Sequence, residues 1–102
     1  MADAEIDVAA TVRALDARVR HLEDTLALYE LIASYGPAAD SGSGARAAAL
    51  FTEDGTYDAQ VGEWTGRADI AAMFDADMHR GLMNGGCGHV LSLPRVVIDG
   101  DR

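Results

Sequence analysis

A seven-residue apolar rhythm constrains this chain most. Val8, Val12, Leu15, Val19, Leu22, Leu26 and Tyr29 recur at alternating spacings of four and three within a helical pattern that spans residues 4–35. That seam has a period of about 3.5 residues, the spacing at which one helix faces another. Its early part is too narrow to be the buried face of a core helix, and suits an oligomerisation helix or one lying across a sheet. Leu31 and Ile32 widen the apolar face, as expected where a helix enters a globular core. Residues 1–21 therefore read as a helical extension with an association seam, and residues 22–102 as one domain.

Gly36 and Pro37 follow, and a proline disfavours helix in the residue before it. The helix is expected to end there. Residues 41–44 alternate serine and glycine, and Ser43 can cap a short helix over 45–51. Residues 53–55 form a turn, 56–60 a weakly alternating strand, and 63–65 a second short strand after a turn at Val61 and Gly62. A helix is expected over 68–82, with Ile70, Phe74, Met78 and Leu82 as its buried face. After a glycine-rich loop, 89–98 reads as a long strand in which Pro94 marks an edge or bulge. Asp99, Gly100 and Asp101 are a hairpin signal. The sum is an α+β chain.

Eight basic and seventeen acidic residues give a net charge of −9. That balance disfavours nucleic acid and anionic membrane as partners. No apolar run approaches the roughly 20 residues of a membrane span. Cys87 is the single cysteine. With no signal-like start and no internal disulfide, a cytoplasmic protein is expected. A chain of 102 residues buries a modest share of its surface, so a homodimer or higher homo-oligomer is also expected.

The order of parts resembles SnoaL-like proteins of the nuclear transport factor two-like superfamily. The matching pieces are residues 22–35 (LEDTLALYELIASY) and 49–57 (ALFTEDGTY), then Gly66, Arg67, Ile70 and Phe74. His89, Leu93, Pro94 and residues 97–101 complete the series. The resemblance implies a cone: helices packed on a strongly curved, mostly antiparallel sheet around an apolar pocket. It also implies further strands after Arg102, so the cone here would be incomplete.

Dehydratases and isomerases of that superfamily place a tyrosine on the first helix, an aspartate five residues on, and a histidine on a later strand. By resemblance these are Tyr35, Asp40 and His89, working without a cofactor on a small apolar molecule. His89 would move a proton at carbon, Asp40 would fix its tautomer, and Tyr35 would donate to a carbonyl gaining negative charge. Tyr57, Trp64, Phe74 and Met78 are the candidate pocket lining. The plainer reading makes Tyr35 a helix-end aromatic, Asp40 a turn former and His89 a strand-entry residue, leaving a non-catalytic binding or assembly module. Residues five apart on an ideal helix point about 140° from each other. Tyr35 and Asp40 are therefore expected to converge only if the helix stops between them.

Asp58 lies beside the position of the general base in ketosteroid isomerase-like members, but that position itself holds Ala59. His79, Cys87 and His89 suggest a metal set only weakly, since they lack a clear fourth ligand, and no metal is expected.

Overall fold

The computed structural model describes residues 5–102. The expected helical start at residue 4 lies outside them. Helix α1 spans Val8–Asp40, and Asp7 caps it by accepting from the Ala10 N–H at 3.0 Å. Thirty-three residues make a rod about 50 Å long. The described part of the molecule measures 75 × 27 × 21 Å, so most of this rod projects from the rest. Val8, Val12, Leu15, Val19, Leu22 and Leu26 are all exposed along it. Burial is confined to its root, at Gly36, Ala38 and Ala39.

Helix α1 does not end at the Gly36–Pro37 step. It runs through Pro37 to Asp40, and the Ser41 N–H donates to the Pro37 carbonyl at 3.0 Å. Proline deletes only its own donor, at a cost of about 3 kcal/mol in a helix interior. Beyond it, Ala38 and Ala39 pack into the core at 7% and 0% exposure. Tertiary burial thus carries the helix one turn past its local stop signal.

Helix α2 is Gly44–Ala48, shorter than 45–51, with the Ser43 hydroxyl accepting from the Arg46 N–H. Strands β1 (Thr56–Ala59) and β2 (Gly62–Thr65) form an antiparallel pair in which Tyr57 faces Trp64 and Thr56 faces Thr65. Strand alternation turns Tyr57, Ala59 and Trp64 inward and leaves Asp58 and Glu63 in solvent. Helix α3 is Arg67–Asp75 and α4 is Asp77–Asn84.

The single helix expected over 68–82 is broken at Ala76, which is extended at φ −68°, ψ 150°. Asp77 then opens α4, where a negative charge suits the helix dipole. The break changes which side chain follows Phe74 inward. Ile70 and Phe74 are buried as expected, but Met78 and Leu82 are 61% and 55% exposed, and His79 is buried instead. A spacing of four cannot register one extended residue.

The core joins Ala38, Ala39, Ala47, Ala48, Ile70 and Phe74, flanked by Tyr35, Phe51, Tyr57, Trp64, Ala71 and Met73. Residues 89–98, expected to be a strand, belong to no sheet, because no described strand offers them a ladder. Their end bends at Gly100 (φ 63°), where Asp99 and Arg102 exchange both backbone hydrogen bonds, at 2.9 and 3.1 Å.

The segment entering at His89 lies directly over Gly36. A Cβ on Gly36 would collide with the His89 carbonyl oxygen. Glycine to alanine inside a helix ordinarily stabilises by up to about 1 kcal/mol. At this position the sign should reverse. We expect Gly36→Ala to destabilise the protein by about 1–3 kcal/mol, as overpacked contacts do, measured by denaturant unfolding.

Candidate active site

Gly36 resolves the geometry of the site. Looking down α1, it lies about 100° round from Tyr35, and Asp40 lies about 40° further. A group seated over Gly36 can reach both side chains without any break in the helix. His89 is that group. Its ring packs edge-on against Tyr35 at a centroid distance of 5.6 Å. Its Nδ1 lies 2.8 Å from Asp40 Oδ1, and its backbone N–H donates to Oδ1 and Oδ2 at 2.9 and 3.0 Å.

The hydrogen bond from the His89 ring, and then the one from its backbone N–H, hold the Asp40 carboxyl below the usual carboxylate range. An ionised carboxylate only accepts, so Nδ1 must carry a proton. In the neutral ring that leaves the Nε2 lone pair free. The His89 and Asp40 side chains are 27% and 35% exposed, so solvent screens the pair in part.

Tyr35 turns its hydroxyl the other way, to Tyr57, with 3.1 Å between the oxygens. Burial, and next the bond to Tyr57, push its pKa far above the ordinary phenol value. It is therefore a neutral hydroxyl at physiological pH. Its ring also meets the edge of Phe74 at 6.2 Å.

Next to this cluster is a hollow of about 130 Å³, lined by residues that include Tyr57, Ala59, Trp64, Met73, Met78, His79, Cys87 and His89. Of the four residues expected to line a pocket, Tyr57, Trp64 and Met78 do so. Phe74 does not: it is a core side chain behind the hollow, packed against Tyr35, Tyr57 and His79. Met78 lines the hollow while remaining largely exposed. The base position of steroid isomerases is an alanine wall here, and Asp58 points away from it into solvent.

His79 is the residue that sequence reasoning passed over, having weighed it only as a metal ligand. It is 7% exposed and its ring stacks on His89 at 5.9 Å, 21° from parallel. The one available signal was a histidine close after Phe74, hidden by the unforeseen break at Ala76. Among the described residues, no group of three histidine, cysteine or acidic side chains is placed to hold a metal ion. No described helix is long and apolar enough to cross a membrane.

The architecture, a long helix and shorter ones on an antiparallel sheet with an aromatic hollow beside His89, is of the nuclear transport factor two-like, cystatin-like class. A solved structure described as an NTF2-like protein with a cystatin-like fold from Novosphingobium aromaticivorans is similar to it, with 46% identity and a TM-score of 0.80. The match covers 85% of this chain and 57% of that one, so the chain spans little more than half the neighbour's length. A family model of the SnoaL-like domain matches residues 20–102. The chain belongs to the SnoaL-like domain family. Comparison with curated proteins gives no match.

The Asp40 bond predicts an acid dependence. Its folded pKa is depressed, so its contribution to stability is complete above the unfolded carboxylate value and is lost as pH falls through the folded one. Denaturant midpoints of the wild type and Asp40→Asn should differ at neutral pH and converge in acid.

Proposed function

We propose that this domain binds a small apolar molecule and moves a proton at one of its carbon atoms, in the manner of a cofactor-independent dehydratase or isomerase. One observation carries the reading: the 2.8 Å contact from Asp40 to His89 Nδ1 leaves Nε2 as a free base at the rim of an apolar hollow. His89 accepts the proton from a carbon next to a carbonyl, and Asp40 steadies the imidazolium that forms. The electrons of the C–H bond flow towards the carbonyl oxygen. The Tyr35–Tyr57 pair spends one O–H on its mutual bond, and the other is suited to donate to that oxygen as it gains charge. In an isomerisation the proton returns to another carbon. In a dehydration the electrons return from the oxygen, and a hydroxyl on the next carbon departs with its bonding pair, takes the proton held by the His89 imidazolium and leaves as water.

The test is solvent deuterium exchange. A panel of small cyclic ketones and enones in heavy water, followed by proton NMR, should show label entering beside the carbonyl in the presence of the protein. His89→Ala should slow that exchange by roughly 10²–10⁴-fold, the usual worth of a positioned base, with folding retained by circular dichroism. Exchange at wild-type rate in His89→Ala defeats the catalytic reading.

The exposed seam of α1 favours a second role, assembly. Six large apolar side chains from Val8 to Leu26 stand in solvent at heptad spacing, and a second copy of the same helix is the partner that such a repeat fits. Sedimentation equilibrium at micromolar concentration should report a dimer or larger homo-oligomer. Leu15→Glu combined with Leu22→Glu should leave a monomer.

A further inference from the structure

His79 is a buried polar group of the hollow that the proposed proton transfer does not use. It is 7% exposed, and neither ring nitrogen has a hydrogen-bond partner. A neutral imidazole always presents one donor and one acceptor. Leaving both buried and unpaired is a penalty that folded proteins rarely carry. The aromatic neighbours do not relieve it. Phe74 meets the ring edge to face at 4.9 Å, and His89 stacks nearly parallel at 5.9 Å.

Tyr57 and His89, the groups that the proposed proton transfer uses, are each held on one side by a partner, and His89 keeps Nε2 for the proton it moves. The Tyr57 hydroxyl is paired with Tyr35, and His89 Nδ1 is held by Asp40. The remaining wall is formed mainly by Ala59, Val61, Trp64, Met73 and Met78. The hollow is thus apolar, with a second imidazole on the α4 side that has unspent hydrogen-bonding capacity. Its volume, about 130 Å³, suits a single six-membered ring.

We infer that His79 is a specificity-determining residue which hydrogen-bonds a hydroxyl group on the ligand. This rests on the reading of the hollow as a ligand site. A hydroxyl can donate to the bare nitrogen or accept from the N–H, so it satisfies either tautomer. A hydrocarbon satisfies neither. A site with a buried polar group of this kind discriminates against the analogue lacking the matching hydroxyl, because binding it leaves the group unpaired. The ligand class is therefore a small, largely apolar ring compound with a hydroxyl directed at α4.

The experiment uses phenol and toluene, which have the same shape with hydroxyl exchanged for methyl, titrated into the full chain and followed by NMR. Phenol should bind about tenfold tighter or better. His79→Leu should abolish that preference and raise the melting temperature, because two unpaired buried polar atoms have gone. His79→Gln, which keeps a donor and an acceptor, should restore part of the preference. An equal preference in wild type and His79→Leu, or a lower melting temperature with preference intact, makes His79 a core residue and overturns the inference. Toluene binding as well as phenol in the wild type also overturns it while sparing the ligand site. Binding of neither removes the ligand site as well. If His79→Leu fails to fold, nitrogen-15 shifts of the wild-type His79 ring decide: movement on adding phenol supports the assignment, and none defeats it.

Discussion

The site depends on one close approach. Gly36 lets the backbone at His89 lie flat on α1, at a distance that no other residue type permits. Two consequences follow from helix geometry alone. The imidazole sits between the directions in which Tyr35 and Asp40 project, and the carboxylate is positioned to receive both the ring and the backbone N–H of the same residue. A glycine that looked like a helix terminator is a contact surface. The proline after it is tolerated because the next turn is buried.

Such an arrangement sets two kinds of polar group at different depths. Asp40 and His89 lie at a partly solvated rim, where a proton can be exchanged with water. Tyr35 and Tyr57 sit deeper, against Phe74, where burial keeps the phenol of Tyr35 protonated. In the chemistry proposed, this puts the base that must recycle near solvent and the donors that must stay neutral away from it. The core beneath them is small, with Ile70 and Phe74 the only large, fully buried side chains among the described residues. Much of the rigidity of the site must therefore come from its own hydrogen bonds and ring contacts.

What could be read in the amino acids was the local grammar. The long helix, the Ser43 cap, the Tyr57–Trp64 hairpin and the turn at Gly100 follow from periodicity and turn chemistry, which act within a few residues. The family order of motifs named Tyr35, Asp40 and His89 together, and in the fold His89 touches both of the others. The misreadings share a cause. The continuation through Pro37, the break at Ala76 and the unpaired 89–98 segment are all decided by contacts across the fold. Packing of Ala38 and Ala39 outweighed a missing donor, and one extended alanine exchanged Met78 for His79. That Tyr35 and Asp40 both meet one imidazole without converging on each other was invisible for the same reason: it needed the third group, seated over Gly36, rather than a kink.

Helix α1 also ties the numbering of its seam to the chemistry at its root. Along a continuous rod each residue adds about 100° of rotation. Inserting one residue between Leu26 and Tyr35 would swing the whole apolar stripe a quarter-turn or more relative to Asp40, while four inserted residues would move it by only about 40°. Length variation in that stretch is compatible with both faces only in near-whole turns. If the proposed association and chemistry are both at work, the spacer is a phase-keeping element whose residue count matters more than its composition.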